Sequence, residues 1–217
     1  MKEYQKISNI FKFDEKYRTI IGLTDTYQVL RNIEWIGTEK VDGTNIRIYW
    51  DGYKVQCLPR KEGSQIPPFL KTALEEIFLK DEIEELFEQQ FGLKEVILFG
   101  EGYGNKIQDV GFKYRKDNSF MLFDVMINGN YQPRKTVEEI ATMLNIDVVP
   151  IIFTGTIHEA IKFVMEHPKS TISEDDLYME GLVGRPEIEL KDRCGNRVIV
   201  KIKWKDFKEF AEERIYL

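Results

Sequence analysis

The chain has 217 residues, of which 42% are hydrophobic and 31% are charged, and its formal net charge is −6. No run approaches the roughly 18 consecutive apolar residues of a membrane span, and the acidic balance argues against a protein that coats nucleic acid through charge alone. Two distant cysteines and two histidines indicate neither a disulfide framework nor a zinc site, and residues 1–17 are too charged for a signal peptide, so we expect a cytoplasmic protein without membrane contact.

Strand-like runs recur along the chain. Each is rich in Val, Ile, Phe, Tyr or Trp and is bounded by Gly, Pro, Asn or Asp. The runs occupy residues 34–40, 45–50, 53–59, 95–101, 119–127, 147–153, 180–186 and 197–204. Because short turns join many of them and helices lie between others, they predict an α+β fold of antiparallel sheets with flanking helices. We see no linker or composition shift, and we expect a single domain over residues 1–217.

Helix-like runs lie between the strands. Pro67-Pro68 precedes residues 69–91, whose apolar side chains recur at steps of three and four residues and predict a helix. A further helix is expected at the end of the chain, over residues 205–217.

Two short sequences match the capping box, in which a Thr side chain and a Glu three residues later satisfy the first amides of a helix. They are Thr-Val-Glu-Glu at 136–139 and Thr-Ile-His-Glu at 156–159. We expect His158 and His167 to be ordinary surface residues of a helix.

The most informative segment is EKVDGTN at residues 39–45. Lys40 ends a strand-like run, and Asp-Gly is typical of a tight turn, which can hold the lysine amine at the mouth of a pocket. A lysine in water is protonated and a poor nucleophile, whereas a constrained one can be activated. The pattern alone also fits a plain hairpin turn with a solvent-exposed lysine, and the rest of the chain has to decide between the two.

Lys40-Val-Asp-Gly43 resembles motif I of the covalent nucleotidyltransferase superfamily, which comprises DNA ligases, RNA ligases and mRNA capping enzymes. Other segments resemble further motifs of that superfamily and follow in the same order. They are Arg60 (motif Ia), residues 98–104 (motif III), 120–125 (motif IIIa), 180–183 (motif IV) and 200–203 (motif V).

The resemblance is strongest to the RNA ligase 2 family. Asn45 extends motif I as in that family, and the segments around Glu101, Phe123 and Lys201 are similar to it. Capping enzymes tend to have an aspartate where this chain has Glu180, which makes them a poorer match.

The resemblance implies a nucleotidyltransferase domain of the ATP-grasp-like ligase kind, and a reaction in three phosphoryl transfers. Lys40 would attack the α-phosphorus of ATP, expel pyrophosphate and become lysyl-AMP. The AMP would pass to a 5′-phosphate end, and a 3′-hydroxyl would displace it to form a 3′-5′ phosphodiester. Such transfers depend on alignment and on neutralised phosphate charge.

The resemblance also implies a role for each site residue. Glu101 would contact the ribose, the Phe123 ring would stack on the purine, and Glu180 would hold Mg²⁺, with Mn²⁺ possible, as a hard oxygen donor. The implied catalytic residues are Lys40, Lys201, Lys203 and Arg60; the implied nucleotide-binding residues are Glu39, Asp42, Gly43, Asn45, Glu101 and Phe123; the implied metal ligand is Glu180.

Several of these residues have a plainer interpretation. Lys201 and Lys203, two apart on one strand, point to the same side and could reach one phosphate, but they also fit a solvated strand face. Arg60 could be a surface arginine. The alternation over residues 120–125 predicts that Phe123 and Val125 lie on the face opposite Asp124, which also fits packing in the core.

The expected partners are ATP and RNA ends or a nicked duplex, bound by a monomer. DNA ligation, 5′-end adenylation without sealing, and a nucleic-acid-binding module without turnover stay open as alternatives. No OB-fold or C-terminal helical domain is expected, because only about 14 residues follow Lys203. We expect the polynucleotide to contact a local basic surface. Its expected residues are Lys191, Arg193, Arg197 and Lys205.

Overall fold

The computed structural model describes residues 2–14, 16 and 19–207. The strands are β1 (Ser8–Asn9), β2 (Phe11–Phe13), β3 (Ile20–Leu23), β4 (Trp35–Glu39), β5 (Thr44–Trp50), β6 (Val55–Pro59), β7 (Val96–Gly104), β8 (Asn118–Ile127), β9 (Asn130–Tyr131), β10 (Asp147–Val148), β11 (Ile151–Gly155), β12 (Gly181–Pro186) and β13 (Val200–Lys203). The α-helices are α1 (Asp25–Val29), α2 (Pro68–Phe78), α3 (Asp81–Phe91), α4 (Gly111–Tyr114), α5 (Arg134–Leu144) and α6 (Ile157–Met165), and a 3₁₀ turn spans Trp204–Phe207. The predicted α+β class, with mainly antiparallel pairing, is confirmed.

The backbone contacts divide the chain into two compact units, each made of separate stretches of sequence. The first unit consists of the residues up to Tyr4, Val41–Val149 and Ser173–Asp175. The second consists of Gln5–Lys40, Pro150–Ile172 and the residues from Asp176 onward. Because the stretches interleave, no linker or composition shift marks the division in the sequence, and the assignment of the whole chain to a single domain stays a prediction.

The first unit is built on one sheet, with strand order β10-β8-β7-β5-β6 and β9 added on β8. All its pairings are antiparallel except β10 with β8. One face of the sheet buries Ile46, Ile48 and Trp50 of β5 against the apolar sides of α2, α3 and α5. The strand therefore alternates, with its other side chains on the opposite face.

The predicted helix over residues 69–91 is two helices, α2 and α3. Pro68 occupies the first turn of α2, where its missing N–H costs nothing. The buried side chains Leu70, Leu74 and Phe78 recur every four residues, but the positions three and four residues after Phe78 are Asp81 and Glu82. The apolar stripe lapses there, and a second helix begins with acidic residues in its first turn, where they favour the helix dipole.

The second unit is built on a sheet with strand order β1-β13-β12-β4-β11, next to a small β2–β3 hairpin. The apolar side of α6 packs with Trp35, Leu182, Val200 and Ile202 of this sheet into one buried core. That packing fixes which face of β4, β12 and β13 is internal and which is open for polar side chains.

The two capping-box predictions have different outcomes. Thr156 caps α6 as predicted, with the reciprocal bonds to Glu159. The prediction at residues 136–139 is wrong: α5 begins at Arg134 after Pro133, without a side-chain cap, so Thr136 lies inside the first turn. Proline at the preceding position sets an extended backbone without needing a hydroxyl cap.

The histidines also differ from each other. His158 is an exposed residue of α6, as predicted. His167 lies beyond the end of that helix and stacks between other rings, so the prediction for it is wrong. The predicted C-terminal helix, over residues 205–217, lies mostly outside the described residues. Its first three residues belong to the 3₁₀ turn at Trp204–Phe207. Among the described residues, no helix is long and apolar enough to cross a membrane.

Candidate active site

Lys40 directly follows the last residue of β4 in the second unit. Its backbone N–H donates to the Gly181 carbonyl at 2.9 Å, which continues the β4–β12 pairing by one residue. Its Nζ donates to Oε2 of Glu180 at 2.5 Å, and the two side chains keep 24% and 22% of their exposure. The amine is thus held in one place by a half-buried carboxylate, while both groups remain reachable from solvent.

Glu180 is itself fixed by the start of β12. Its carbonyl accepts the Trp204 N–H at 2.9 Å. Gly181 has a φ of +155°, and a Cβ there would meet the Ile202 carbonyl oxygen and Lys203 Cα. Only glycine allows this close approach, so the Glu-Gly sequence of the predicted motif IV has a physical reason.

Lys201 and Lys203 are half-buried on β13, while Val200 and Ile202 between them enter the core. The prediction that both lysines lie on one face of a strand is confirmed. Across the sheet, Lys203 pairs with Gly181, whose carbonyl binds the Lys40 amide. Burial lowers the pKa of Lys203, the neighbouring Lys205 lowers it further, and Asp206 and Glu180 oppose that shift. A row of amines therefore lies on the face away from α6.

Glu39 lies on the other face from Lys40, opposite Leu182 of the core. It is 1% exposed, and its carboxylate accepts bonds from Ser170 Oγ at 2.5 Å, Thr171 N–H at 2.8 Å and Thr171 Oγ1 at 2.7 Å. This corrects the interpretation of the Glu39 side chain as a nucleotide ligand, because strand alternation turns it into the core and three donors saturate it. The side chain instead ties β4 to the loop after α6.

The plain hairpin interpretation of the Lys-x-Asp-Gly segment is wrong. The strands β4 and β5 that flank it belong to different sheets and do not pair. The Asp-Gly pair forms a bend instead of a tight hairpin turn. A Cβ on Gly43 would meet the Gly102 carbonyl oxygen and lie 2.7 Å from Glu101 Cγ, so glycine is needed for close packing against β7.

In the first unit, three predicted residues lie at the ends of adjacent strands. Asn45 of β5 pairs directly with Glu101 of β7. Arg60 follows Pro59, the β6 residue that pairs with Ile46. The Asn45 Oδ1 atom is buried without a hydrogen-bond partner, an arrangement that is costly unless a ligand or water donates to it. Asn45, Glu101 and Arg60 are therefore grouped at one end of the sheet.

Asp42 and Gly43 are held by the segment around α4. The Asp42 N–H donates to the Tyr114 hydroxyl at 3.3 Å, and Gln108 Nε2 donates to the Gly43 carbonyl at 2.9 Å. Both contacts fix the backbone of this segment.

Phe123 lies at a β-bulge, where the pairing of β7 with β8 shifts register between Phe99 and Gly100. Its ring packs against Tyr4 with centroids 4.9 Å apart, and the Tyr4 hydroxyl donates to Asp124 at 2.5 Å. Phe123 and Asp124 thus both contact Tyr4, while Val125 enters the core. The prediction that Phe123 and Val125 share a face opposite Asp124 is wrong, because the extra residue of a bulge breaks the alternation.

Sequence reasoning missed several polar residues around these sites. Arg47 is 2% exposed and donates to the carbonyls of Pro59 and Lys2, and burial lowers its pKa. Asp124 and its partner Tyr4 are 120 residues apart. No local signal marks such pairs, although an arginine in the middle of the apolar run 45–50 was a visible anomaly.

The predicted basic surface is reduced by one residue. Lys191, Arg193 and Lys205 are exposed, as expected of a polyanion contact. Arg197 is 5% exposed, and its guanidinium binds Glu189 at 3.0 and 2.9 Å. Arg197 is therefore not part of that surface: its buried guanidinium pairs with the exposed Glu189 carboxylate.

Within the described part of the chain, no group of three or more His, Cys, Asp or Glu side chains could hold a metal ion. The half-buried Glu180 carboxylate offers one hard oxygen donor, which fits Mg²⁺ or Mn²⁺ where phosphate oxygens and waters supply the other ligands. Such a site needs the nucleotide to be complete.

Comparison with known proteins gives a consistent family. The RNA ligase family matches residues 33–203, which is most of the chain. No curated protein sequence matches significantly. Solved structures that are similar include a Naegleria gruberi RNA ligase mutant with ATP and Mn (TM-score 0.65, 15% identity, 99% of this chain and 59% of that one) and the same organism's RNA ligase with PPi (TM-score 0.61, 17% identity, 97% and 64%). The chain thus spans about three fifths of the Naegleria chains, and at this identity the likeness concerns the fold.

Proposed function

Since this chain belongs to the RNA ligase family, we propose that it joins polynucleotide ends, RNA in preference to DNA, with ATP as the source of AMP. The observation that carries the proposal is the Lys40–Glu180 pair, in which a motif I lysine is held at 2.5 Å by the motif IV glutamate. The predicted motifs lie 140 residues apart in sequence, and a chance resemblance would give no reason for their side chains to meet.

Lys40 is the proposed nucleophile. Its Nζ, after losing a proton, forms a P–N bond to the α-phosphorus of ATP while the bond to pyrophosphate breaks. Lys203 and Lys201, on the same side of the sheet, would neutralise the non-bridging oxygens during this transfer. The AMP then passes to a 5′-phosphate end, which frees the lysine, and a 3′-hydroxyl displaces AMP to complete the phosphodiester.

The nucleotide-recognition roles fall to the first unit. Glu101 would accept from the ribose hydroxyls, and the unsatisfied Asn45 Oδ1 is suited to accept from the same ligand. Phe123 would stack on the purine with the part of its ring that Tyr4 does not cover. Arg60 offers a planar fork for phosphate or ribose oxygens.

The metal role falls to Glu180. A divalent cation, Mg²⁺ or Mn²⁺, would offset the triphosphate charge as pyrophosphate leaves. The Glu180 carboxylate pairs with Lys40, so a cation bound to Glu180 and the ammonium of Lys40 would compete for the same oxygen atoms. That competition would favour release of the amine when the nucleotide and its cation arrive together.

The test is intact-mass measurement after incubation with ATP and Mg²⁺, followed by peptide mapping. We expect one added AMP on Lys40, no addition in Lys40→Ala, and release of the AMP by pyrophosphate. AMP on another residue would show that the assigned nucleophile is wrong.

The finer parts of the proposal concern the substrate. We infer a role in RNA repair by a monomer, with Mg²⁺ as the working cation. Sealing rates on nicks that differ only in the sugar of the 3′-hydroxyl strand test the preference: faster sealing with ribose supports RNA, and equal or faster sealing of an all-DNA nick contradicts it. Accumulation of adenylated 5′ ends without sealing would identify the alternative activity.

A further inference from the structure

A stack of three aromatic rings in the second unit has no role in the chemistry above. The His167 ring lies 3.8 Å from the Trp204 ring at an interplanar angle of 15°, and 4.6 Å from the Tyr178 ring at 24°. Two nearly parallel rings cannot both fit over one face of an imidazole at these distances. Tyr178 and Trp204 therefore cover opposite faces of His167.

The stack has a closed end and an open end. The Trp204 ring packs against the core of the second unit, and the backbone N–H of Trp204 donates to the carbonyl of Glu180, the residue that pairs with Lys40. Tyr178, at the other end, is 50% exposed. The stack thus runs from the backbone of the candidate active site to a tyrosine that faces solvent.

The backbone around the end of α6 holds the stack in place. His167 has a φ of +49°, a left-handed conformation that non-glycine residues adopt infrequently. Its N–H donates to Val164, and Pro168, which follows it, accepts from the Met179 amide. Tyr178 is fixed by a bridge to Lys169. Because a left-handed residue commonly ends a helix at this position, the end of α6 itself places the His167 ring between Trp204 and Tyr178.

The charge around Tyr178 limits what the ring can bind. Lys169, its bridge partner, is paired with Asp176 at 2.5 Å, so the charges beside the ring are already balanced. A phosphate therefore gains little here, whereas a flat uncharged ring can stack on tyrosine. Nucleobases have such a face whatever their sequence.

We propose that Tyr178 is a stacking platform for an unpaired base of the polynucleotide that reacts at Lys40. The inference rests on the proposed function. It adds a contact to a base, whereas the basic surface of Lys191, Arg193 and Lys205 would contact phosphates. Such a contact tolerates any sequence and depends little on salt, because no counterion is released when rings stack.

The test measures binding of a short 5′-phosphorylated single-stranded RNA by fluorescence anisotropy, at low and at raised salt. Tyr178→Ala should weaken binding by about 5- to 100-fold at both salt concentrations, with the same salt slope as the wild type. Tyr178→Trp should bind at least as well as the wild type. Tyr53→Ala, which removes a 74% exposed tyrosine of the first unit, is the matched control and should bind normally.

A second series uses RNAs with an abasic sugar at each position in turn. At one position, the abasic sugar should weaken binding to the wild-type protein as much as Tyr178→Ala weakens binding of the intact RNA. Binding of that abasic RNA to Tyr178→Ala should be no weaker than with either change alone. Normal RNA binding by Tyr178→Ala, or a loss that changes the salt slope, would overturn the platform.

Addition of AMP to Lys40 separates the two proposals. Tyr178→Ala should accept AMP at the wild-type rate, and a matching loss of AMP addition would overturn the platform, since the ring would then serve ATP or the fold. If wild-type protein takes no AMP but the stacking results hold, the proposed function fails and the platform stands.

Discussion

The two groups of candidate residues, one in each unit, differ in the kind of partner that each side chain has. In the second unit, Lys40 and Glu180 are charged groups that satisfy each other. In the first unit, Asn45 has an oxygen without any hydrogen-bond partner, and Phe123 has a ring that is only partly covered. Charged groups that can exchange partners suit a reacting phosphate, whereas unsatisfied neutral groups suit recognition of a nucleoside. Variants in the second unit should therefore change turnover, and variants in the first should change nucleotide affinity.

The largest effect is expected for Glu180. Glu180→Ala should abolish metal-dependent turnover, whereas Glu180→Asp should retain some, because a shorter carboxylate can still bind a cation through water. The measurement is the rate of AMP addition to Lys40 over a range of Mg²⁺ concentrations. Glu187→Ala, an exposed glutamate near the end of β12, is the control. Wild-type turnover in the alanine variant would remove Glu180 from the proposed site.

A Glu39 variant should lose stability without losing the reaction at Lys40, because Glu39 is adjacent to Lys40 but its side chain faces the core. Glu39→Ala leaves the donors of Ser170 and Thr171 unsatisfied, and each such group costs about 1–3 kcal/mol. We expect unfolding in urea to show a loss of about 3 kcal/mol or more, against less than about 0.5 kcal/mol for the exposed Glu34→Ala. At low temperature, where more of the variant stays folded, the folded protein should still accept AMP on Lys40. A stable but inactive variant would instead support the earlier interpretation of Glu39 as a nucleotide ligand.

Phe123 tests the first unit. Phe123→Ala should raise the KM for ATP in AMP addition by about tenfold, because base stacking on an aromatic ring contributes about 1–3 kcal/mol. Phe123→Leu should raise it less, and kcat should change little in either. Phe112→Ala, an exposed phenylalanine of the same unit, controls for loss of a ring. A fall in melting temperature with an unchanged KM would mean that Phe123 serves packing alone.

The smallest effect concerns pH and Lys203. Burial lowers the pKa of this amine below its usual value of 10.5, so the unfolded chain binds the proton more tightly than the folded chain does. Lys203 therefore costs stability at neutral pH, and the cost fades as pH rises through the folded pKa toward 10.5. Lys203→Met should melt slightly higher than the wild type at pH 7, with a difference that shrinks as the pH approaches 10.5. A difference in melting temperature that stays constant as the pH approaches 10.5 would contradict this role of the Lys203 amine.

Regular local patterns were predictable from the sequence. The period-two alternation of β13 placed Lys201 and Lys203 together because that strand has no irregularity. The Thr156 capping box was also predictable, since both of its partners lie within four residues of each other.

The failures at Phe123 and Glu39 share one physical cause, which is that the deciding partner is remote in sequence. The Phe123 side chain could not be assigned to a face because the bulge depends on β7. The Glu39 side chain could not be assigned because Ser170 and Thr171 lie more than 130 residues away. The split at residue 79 was visible in the lapse of the apolar stripe, although the capping signals were weak.

The order of strands around β4 has a consequence for synthesis of the chain. β4 lies between β11 and β12, both of which leave the ribosome more than 110 residues later than β4 does. Until then, Lys40 has neither the Gly181 carbonyl nor Glu180 to hold it. The strands β5 to β8 can assemble early, whereas Lys40 gains these contacts only after residues 180 and 181 have been made. Pairing across such separations forms slowly, so a nascent chain that ends before residue 180 lacks the contacts that hold the Lys40 side chain.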